Sequence, residues 1–317
     1  MWRLAALMSC ATPVMAQDIS LGLPIDCSLG ETCYIQNYVD DDPSPATADF
    51  ACGGLSYDGH DGTDFALPDR SAQAQGVAVL AAAAGQVTGI RDEMPDMLQG
   101  TPNAPDVTNR ECGNGVVIRH AGGWETQYCH MARGSIGVQP GDQVAQGAVL
   151  GQVGLSGQTE FPHVHLTVRH NGVAVDPFDT DAGQTCDGPH PTLWATPVPY
   201  VAGGLLSAGF SSGVPDYGQI KAGTVGEVLT SVSPGLVVWG FAFGGQNGDE
   251  IRMTITGPTD EVIRHTETLD RDQAQFFRAA GKRMPPGGWP AGTYTGVIEL
   301  IRDDRLIDSL NIETVLR

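Results

Sequence analysis

Residues 136–154 read Ile-Gly-Val-Gln-Pro-Gly-Asp-Gln-Val-Ala-Gln-Gly-Ala-Val-Leu-Gly-Gln-Val-Gly, with a turn former every few positions and apolar residues in between. Such a run cannot be helical, because each interior glycine costs about 1 kcal/mol and each proline about 3 kcal/mol relative to alanine. It suits short strands joined by tight turns. The whole chain shares this bias: Gly 42 and Pro 21 make up about a fifth of the 317 residues, too many for a helical bundle. Apolar residues at 41% can fill an ordinary core, and charged residues at 17% are too few for a disordered chain. The length predicts two domains.

The strand candidates fall into two groups. Between 51 and 180, Val77–Ala81, Gln86–Ile90, Val116–His120 and Glu125–His130 are short and rich in strand formers. The last two flank Gly122-Gly123, a hairpin signature. Residues 91–114 carry Pro95, Pro102 and Pro105 and read as a loop beside a cleft. After a proline-rich stretch from Pro189 to Pro199, the runs 236–243, 251–256, 261–265, 294–301 and 306–312 alternate or run apolar between turns. That spacing predicts a β-sandwich of immunoglobulin-like kind. The expected division is a polar N-terminal extension over 17–50, a first domain over 51–187, a linker over 188–200 and an accessory sandwich over 201–317.

The first sixteen residues, Met1 to Ala16, hold one positive charge, a short apolar stretch and a small residue at the end, and read as a secretory signal. Leu7-Met8-Ser9-Cys10 also resembles a lipoprotein box, but Cys10 stands too close to the start. Cleavage after Ala16 leaves six cysteines, and an even number in an exported chain reads as disulfides. Six permit 15 pairings. Cys27 and Cys33 can close a small loop, Cys112 and Cys129 flank the hairpin, and Cys52 and Cys186 remain. The hairpin sets Cys129 opposite Gly115, so a Cys112 bridge needs the chain before Gly115 to curl back. The expected location is the periplasm or the exterior, without a transmembrane segment. Lys+Arg 17 against Asp+Glu 37, net −20, excludes nucleic acid and anionic membrane as main partners.

Chemistry concentrates in the histidines. Phe161-Pro-His-Val-His-Leu-Thr-Val-Arg169 alternates strictly, so His163, His165, Thr167 and Arg169 share one strand face while Val164, Leu166 and Val168 share the other. Two imidazoles about 7 Å apart on one face can converge on a metal. His60-Asp-Gly-Thr-Asp64 adds a histidine and a carboxylate in a turn entering the strand Asp64–Leu67. Two histidines and a carboxylate form the three-protein-ligand set of a catalytic zinc, whose fourth position stays open. His120, His170, His190 and His265 lack such company, the Asp40–Asp42 triplet reads as a solvated turn, Asp176-Pro177 as a strand-ending turn, and Ser156 lacks the nucleophile-elbow context. Trp124 and Tyr128 pack the hairpin or line the groove.

H-x-G-x-D at 60–64, His130 after Tyr128-Cys129, and His-x-His at 163–165 resemble the lysostaphin-type (LytM-like) zinc endopeptidases of the bacterial cell wall. The flanking segments Asp64–Pro68, Val79–Gly85, Gly113–Ile118, Val144–Gly151 and Asn171–Pro177 look like that family's strand and turn signatures in the same order. The likeness covers about 50–180. It implies a small antiparallel β-sheet or barrel-like peptidase domain and one Zn²⁺ per chain held by His60, Asp64 and His165. His130 and His163 would be the non-ligand catalytic histidines, and peptidoglycan stem peptides or cross-links the substrate. Departures are Val164 in place of the family's leucine, Cys129 beside His130, and the 91–114 insertion. The resemblance leaves two rival classes: a non-catalytic wall-binding or amidase-activator protein of the same fold, and a zinc protease of exported proteins. Inactive relatives lack members of the five-residue set, whereas all five stand here. The C-terminal sandwich shows no ligand motif, leaving wall, a protein partner or the peptidase domain itself as what it meets.

Overall fold

The computed structural model describes residues 19–181, 186 and 191–317. The expected signal segment 1–16 lies outside the described residues, as does His190. The chain is mostly β. β1 (Tyr34–Asn37) and β2 (Thr63–Ala66) are followed by α1 (Arg70–Ala74), β3 (Ala78–Leu80), β4 (Gly85–Arg91), β5 (Asn114–Arg119), β6 (Trp124–Met131), β7 (Gln143–Val144), β8 (Val149–Gln152), β9 (His163–His170) and β10 (Val173–Ala174). They build an antiparallel sheet in the order β1-β2-β9-β6-β5-β4-β7, with β10 on β9, and a small β3-β8 ribbon. The alternation read in 161–169 is realised in β9: Val164, Leu166 and Val168 are fully buried in the core. Residues 92–113 contain no strand, as their prolines require.

Residues from 17–50 enter this core. Leu21, Ile25, Tyr34, Ile35 and Tyr38 are buried in the cluster that holds Phe65, Tyr128 and Leu166. Tyr38 also meets Phe50, Phe178 and Tyr200 at ring separations of 4.9–5.3 Å. The described part of the proline-rich stretch packs as well: Leu193 and Trp194 are buried, and Leu21 N donates to Leu193 O. Among the described residues three disulfides, Cys27–Cys33, Cys52–Cys186 and Cys112–Cys129, settle a pairing that the sequence left open. The chain before Gly115 does curl back, since a Cβ on Gly115 would sit 3.1 Å from Cys112 Sγ.

The second half begins with β11 (Gly204–Ser211) and α2 (Tyr217–Ala222). Then come β12 (Gly235–Gly245), β13 (Glu250–Thr256), β14 (Glu261–Thr268), β15 (Gln273–Arg283), β16 (Gly292–Arg302) and β17 (Arg305–Leu316). A β11-β12-β15 sheet faces a β14-β13-β16-β17 sheet. Val238 and Ala242 of one sheet meet Met253, Ile298 and Leu300 of the other in one buried cluster, which makes this a β-sandwich. It touches the first sheet through β1. Gln36 Nε2 donates to Ala274 O at 3.1 Å, Gln275 Nε2 donates to Tyr34 Oη at 2.7 Å, and the rings of Tyr34 and Phe243 stand 4.5 Å apart.

Candidate metal centre

Strand pairing brings the histidines together. β9 lies between β2 and β6, with Asp64 opposite His165 on one side and Cys129 opposite His165 on the other. His60 sits on the turn that feeds β2, and that turn is pinned by Asp40, whose carboxylate accepts from Gly59 N at 3.0 Å. Gly62 is required by space: a Cβ there would meet His165 Nε2 at 2.5 Å and Leu166 O at 2.7 Å. His60, Asp64, His130, His163 and His165 are all buried, none more than 9% exposed.

Three donor atoms converge. His60 Nε2 lies 3.3 Å from Asp64 Oδ1 and 3.1 Å from His165 Nδ1, which itself lies 2.9 Å from Asp64 Oδ1. Ligands 2.0–2.2 Å from a tetrahedral metal stand roughly 3.3 Å apart, so the triangle has the size of a zinc ligand face. The far side of each group is already engaged. His60 Nδ1 donates to the Tyr38 carbonyl at 2.6 Å, which leaves its Nε2 as a lone pair. His165 Nε2 faces Thr167 Oγ1 at 3.0 Å and Asp61 Oδ1 at 3.4 Å, and Asn37 Nδ2 donates to Asp64 Oδ2 at 3.0 Å. A carboxylate oxygen and two imidazole nitrogens thus share one buried space. One proton cannot satisfy all three close contacts, whereas a divalent cation can. The donor set fits zinc, and it is the one such group among the described residues.

His163 and His130 stand beside this triangle. His163 Nδ1 donates to Phe161 O at 3.0 Å, and its Nε2 lies 3.4 Å from Asp64 Oδ1. His130 Nδ1 donates to Ser156 O at 2.8 Å, so its Nε2 is also free to accept. The two rings are 4.6 Å apart. His130 has φ 61, a strained backbone for a non-glycine residue. Its N–H bond to Cys112 O at 2.9 Å and the neighbouring Cys112–Cys129 bridge hold it there. Burial, together with the His163 and His165 imidazoles, pulls His130 well below the usual histidine range. Burial also lowers His165, but the Asp61 and Asp64 carboxylates outweigh it and push it up to about 9. Burial raises Asp64, yet the His163 and His60 imidazoles hold it well below the usual carboxylate range. Tyr57 and Phe161 lie over His60 and His163, each with ring centroids 4.4 Å apart.

The remaining polar residues are structural. His120 is buried with both ring nitrogens bonded, to Ala84 O at 2.8 Å and Thr126 Oγ1 at 2.8 Å. Trp124 stacks on His170 and Tyr128 lies in the core. Ser156 Oγ donates to Met131 O, and Asp176 Oδ1 accepts from Phe178 N to close its turn. Sequence reasoning missed Asn37, Tyr38 and Asp61, which hold the outer sides of the three donor groups. The aromatic and β-branched residues in Cys33-Tyr-Ile-Gln-Asn-Tyr-Val39 were the available signal for the strand that carries Asn37.

The family model described as Peptidase family M23 matches residues 58–177. The DD-carboxypeptidase/endopeptidase Mpg of Neisseria meningitidis serogroup B is 36% identical over 118 residues, 37% of this chain and 22% of that protein. The peptidoglycan DD-endopeptidase ShyC of Vibrio cholerae is 36% identical over 76 residues, 24% of this chain and 17% of that protein. The chain thus spans less than a quarter of either relative. The solved catalytic domain of the prophage-encoded M23 protein EnpA from Enterococcus faecalis is 25% identical. The match covers 47% of this chain and 92% of that one, with a TM-score of 0.33. Residues 58–177, which contain all five clustered side chains, are the part of this chain that matches peptidase family M23.

Proposed function

We propose that this protein is an exported zinc endopeptidase that hydrolyses peptide bonds in peptidoglycan stem peptides or cross-links. One observation carries the reading: His60 Nε2, Asp64 Oδ1 and His165 Nδ1 converge as a buried zinc-sized triangle, with two further imidazoles beside it. The matching relative named as a peptidoglycan DD-endopeptidase supports the substrate class, and the one named as a DD-carboxypeptidase/endopeptidase supports the reaction. The intact five-residue set supports an active enzyme over a non-catalytic activator. Three disulfides support an oxidising compartment, and no helix of the described residues is long and apolar enough to cross a membrane.

His60, Asp64 and His165 would hold the metal, which when bound acidifies a water and polarises the attacked carbonyl. The other steps belong to the chain. His130 and His163 turn their Nδ1–H groups to the carbonyls of Ser156 and Phe161, so each keeps an Nε2 acceptor on the side of the reacting water. Between them they take the water's proton, pass it to the leaving amine and donate to the developing oxyanion. Tyr57 and Phe161 flank the His60 and His163 rings. Mass spectrometry of muropeptides after incubation of purified peptidoglycan with the protein, with and without chelator, tests the reading. Cleaved cross-links or shortened stems that vanish with chelator are expected. Unchanged muropeptides with the zinc-loaded protein refute it, and cleavage of casein in their place would assign it to ordinary exported proteins.

A further inference from the structure

Cations are scarce in this chain, 17 against 37 acidic residues, yet three of them line one cavity of ≈ 540 Å³. They are Lys221 on α2, Arg271 just before β15, and Arg278 on β15. The opposite wall is formed by Phe161, whose ring stacks on His163, and by Asn37, which holds Asp64. The cavity therefore runs from the edge of the metal centre to the sandwich. Arg278 is engaged by Glu267 and the Phe277 carbonyl. Lys221 and Arg271 are not so engaged: Lys221 rests over the Tyr217 ring at 4.8 Å, Arg271 is exposed, and neither pairs with a carboxylate among the described residues. Glu160 is the one acidic side chain on the lining.

A carboxylate meets the charge of both cations. Accepting the hydrolase reading above, we infer that the C-terminal sandwich forms a specificity wall of the substrate groove, where Lys221 and Arg271 hold a free carboxylate of the peptide.

The test uses the full zinc-loaded chain carrying His130→Ala, so that bound peptide is not consumed. Calorimetry compares a stem peptide with free carboxylates against the same peptide with those groups amidated. About tenfold tighter binding of the free form is expected, as for loss of one charge-assisted contact. Lys221→Gln with Arg271→Gln should erase that preference while the thermal midpoint stays put. Equal binding of both peptides, or a preference that survives the double substitution, overturns the assignment. Digestion of cross-linked peptidoglycan by the unsubstituted chain runs alongside. Digestion without the binding preference removes this subsite alone, and the preference without digestion supports the subsite while removing the hydrolase reading.

Discussion

Gly62→Ala is a one-methyl perturbation aimed at the metal centre from behind. Gly62 is buried, and its backbone is outside the left-handed region, so the obstacle is space. The new Cβ would stand 2.5 Å from His165 Nε2 and 2.7 Å from Leu166 O. Non-bonded heavy atoms in contact stand about 3.5 Å apart, so something must retreat by about 1 Å. The backbone cannot, because Thr63 is paired with Leu166 in the β2–β9 ladder. The imidazole must therefore move, carrying Nδ1 out of the triangle it makes with His60 and Asp64. Metal sites tolerate ligand errors of about 0.2 Å, and a misplacement of about 1 Å costs about 100-fold. Zinc affinity, read by competition with a chromophoric chelator, should fall about 100-fold, and turnover on peptidoglycan with it. Overpacking should cost about 1–3 kcal/mol of stability, leaving the chain folded. Gly54→Ala is the control, since a Cβ there meets nothing within 4 Å and the backbone is unstrained. Parental zinc affinity in folded Gly62→Ala would refute the reasoning.

His60→Ala and Asp64→Ala should lose zinc and activity together, whereas His130→Ala should keep zinc and lose turnover; metal analysis of purified variants reads this, and an active, metal-free His60→Ala contradicts the ligand set. Replacing Cys112 and Cys129 by serine opens a bridge of sequence separation 17. It should cost about 3 kcal/mol in denaturant unfolding and slow turnover by releasing His130 from its strained position; unaltered turnover would show that His130 is held without it. Burial, with Asp41, Asp179 and Asp49 nearby, raises Asp176 well above the usual carboxylate range. The unfolded chain ionises this group near ~4, so the native state binds the extra proton above that pH and stability falls as pH rises through the folded value. Asp176→Asn keeps an acceptor for Phe178 N and never ionises. In urea unfolding it should exceed the parent in stability at pH 7.5 and match it at pH 4, and a less stable variant at pH 7.5 contradicts the sign.

Four of the five clustered side chains could be named from the sequence because two local rules expose them, and His130 only through the family resemblance. Period-two alternation puts His163 and His165 on one face, and the H-x-G-x-D spacing couples His60 to Asp64. Their meeting depends on something no local pattern encodes: β2 pairs with β9 about 100 residues later, in the register that sets Asp64 against His165. A slip of one residue would turn His165 to the core face. β15 went unread for a related reason. Gln273-Ala-Gln-Phe-Phe-Arg-Ala-Ala-Gly-Lys-Arg283 has no clean alternation, and its strand character comes from ten pairings with β12. Residues 17–50 looked polar because of the Asp40–Asp42 triplet and the prolines after it, yet Leu21, Ile25 and Tyr34 are buried.

That segment matters to the chemistry. A metal needs the right lone pair as well as the right residue, and the lone pair of His60 is fixed by the Tyr38 carbonyl, which occupies Nδ1 and leaves Nε2 free. Asp64 is likewise turned by Asn37, which takes Oδ2 and leaves Oδ1 to the triangle. Both residues lie outside the family-matched segment 58–177, on or beside a strand that Gln36 ties to the sandwich at Ala274. The donors are therefore specified inside the peptidase segment, while their tautomer and aim are specified from outside it. A fragment starting at residue 58 would contain every ligand and should still bind zinc more weakly than the whole chain, by the 10–100-fold typical of lost outer partners.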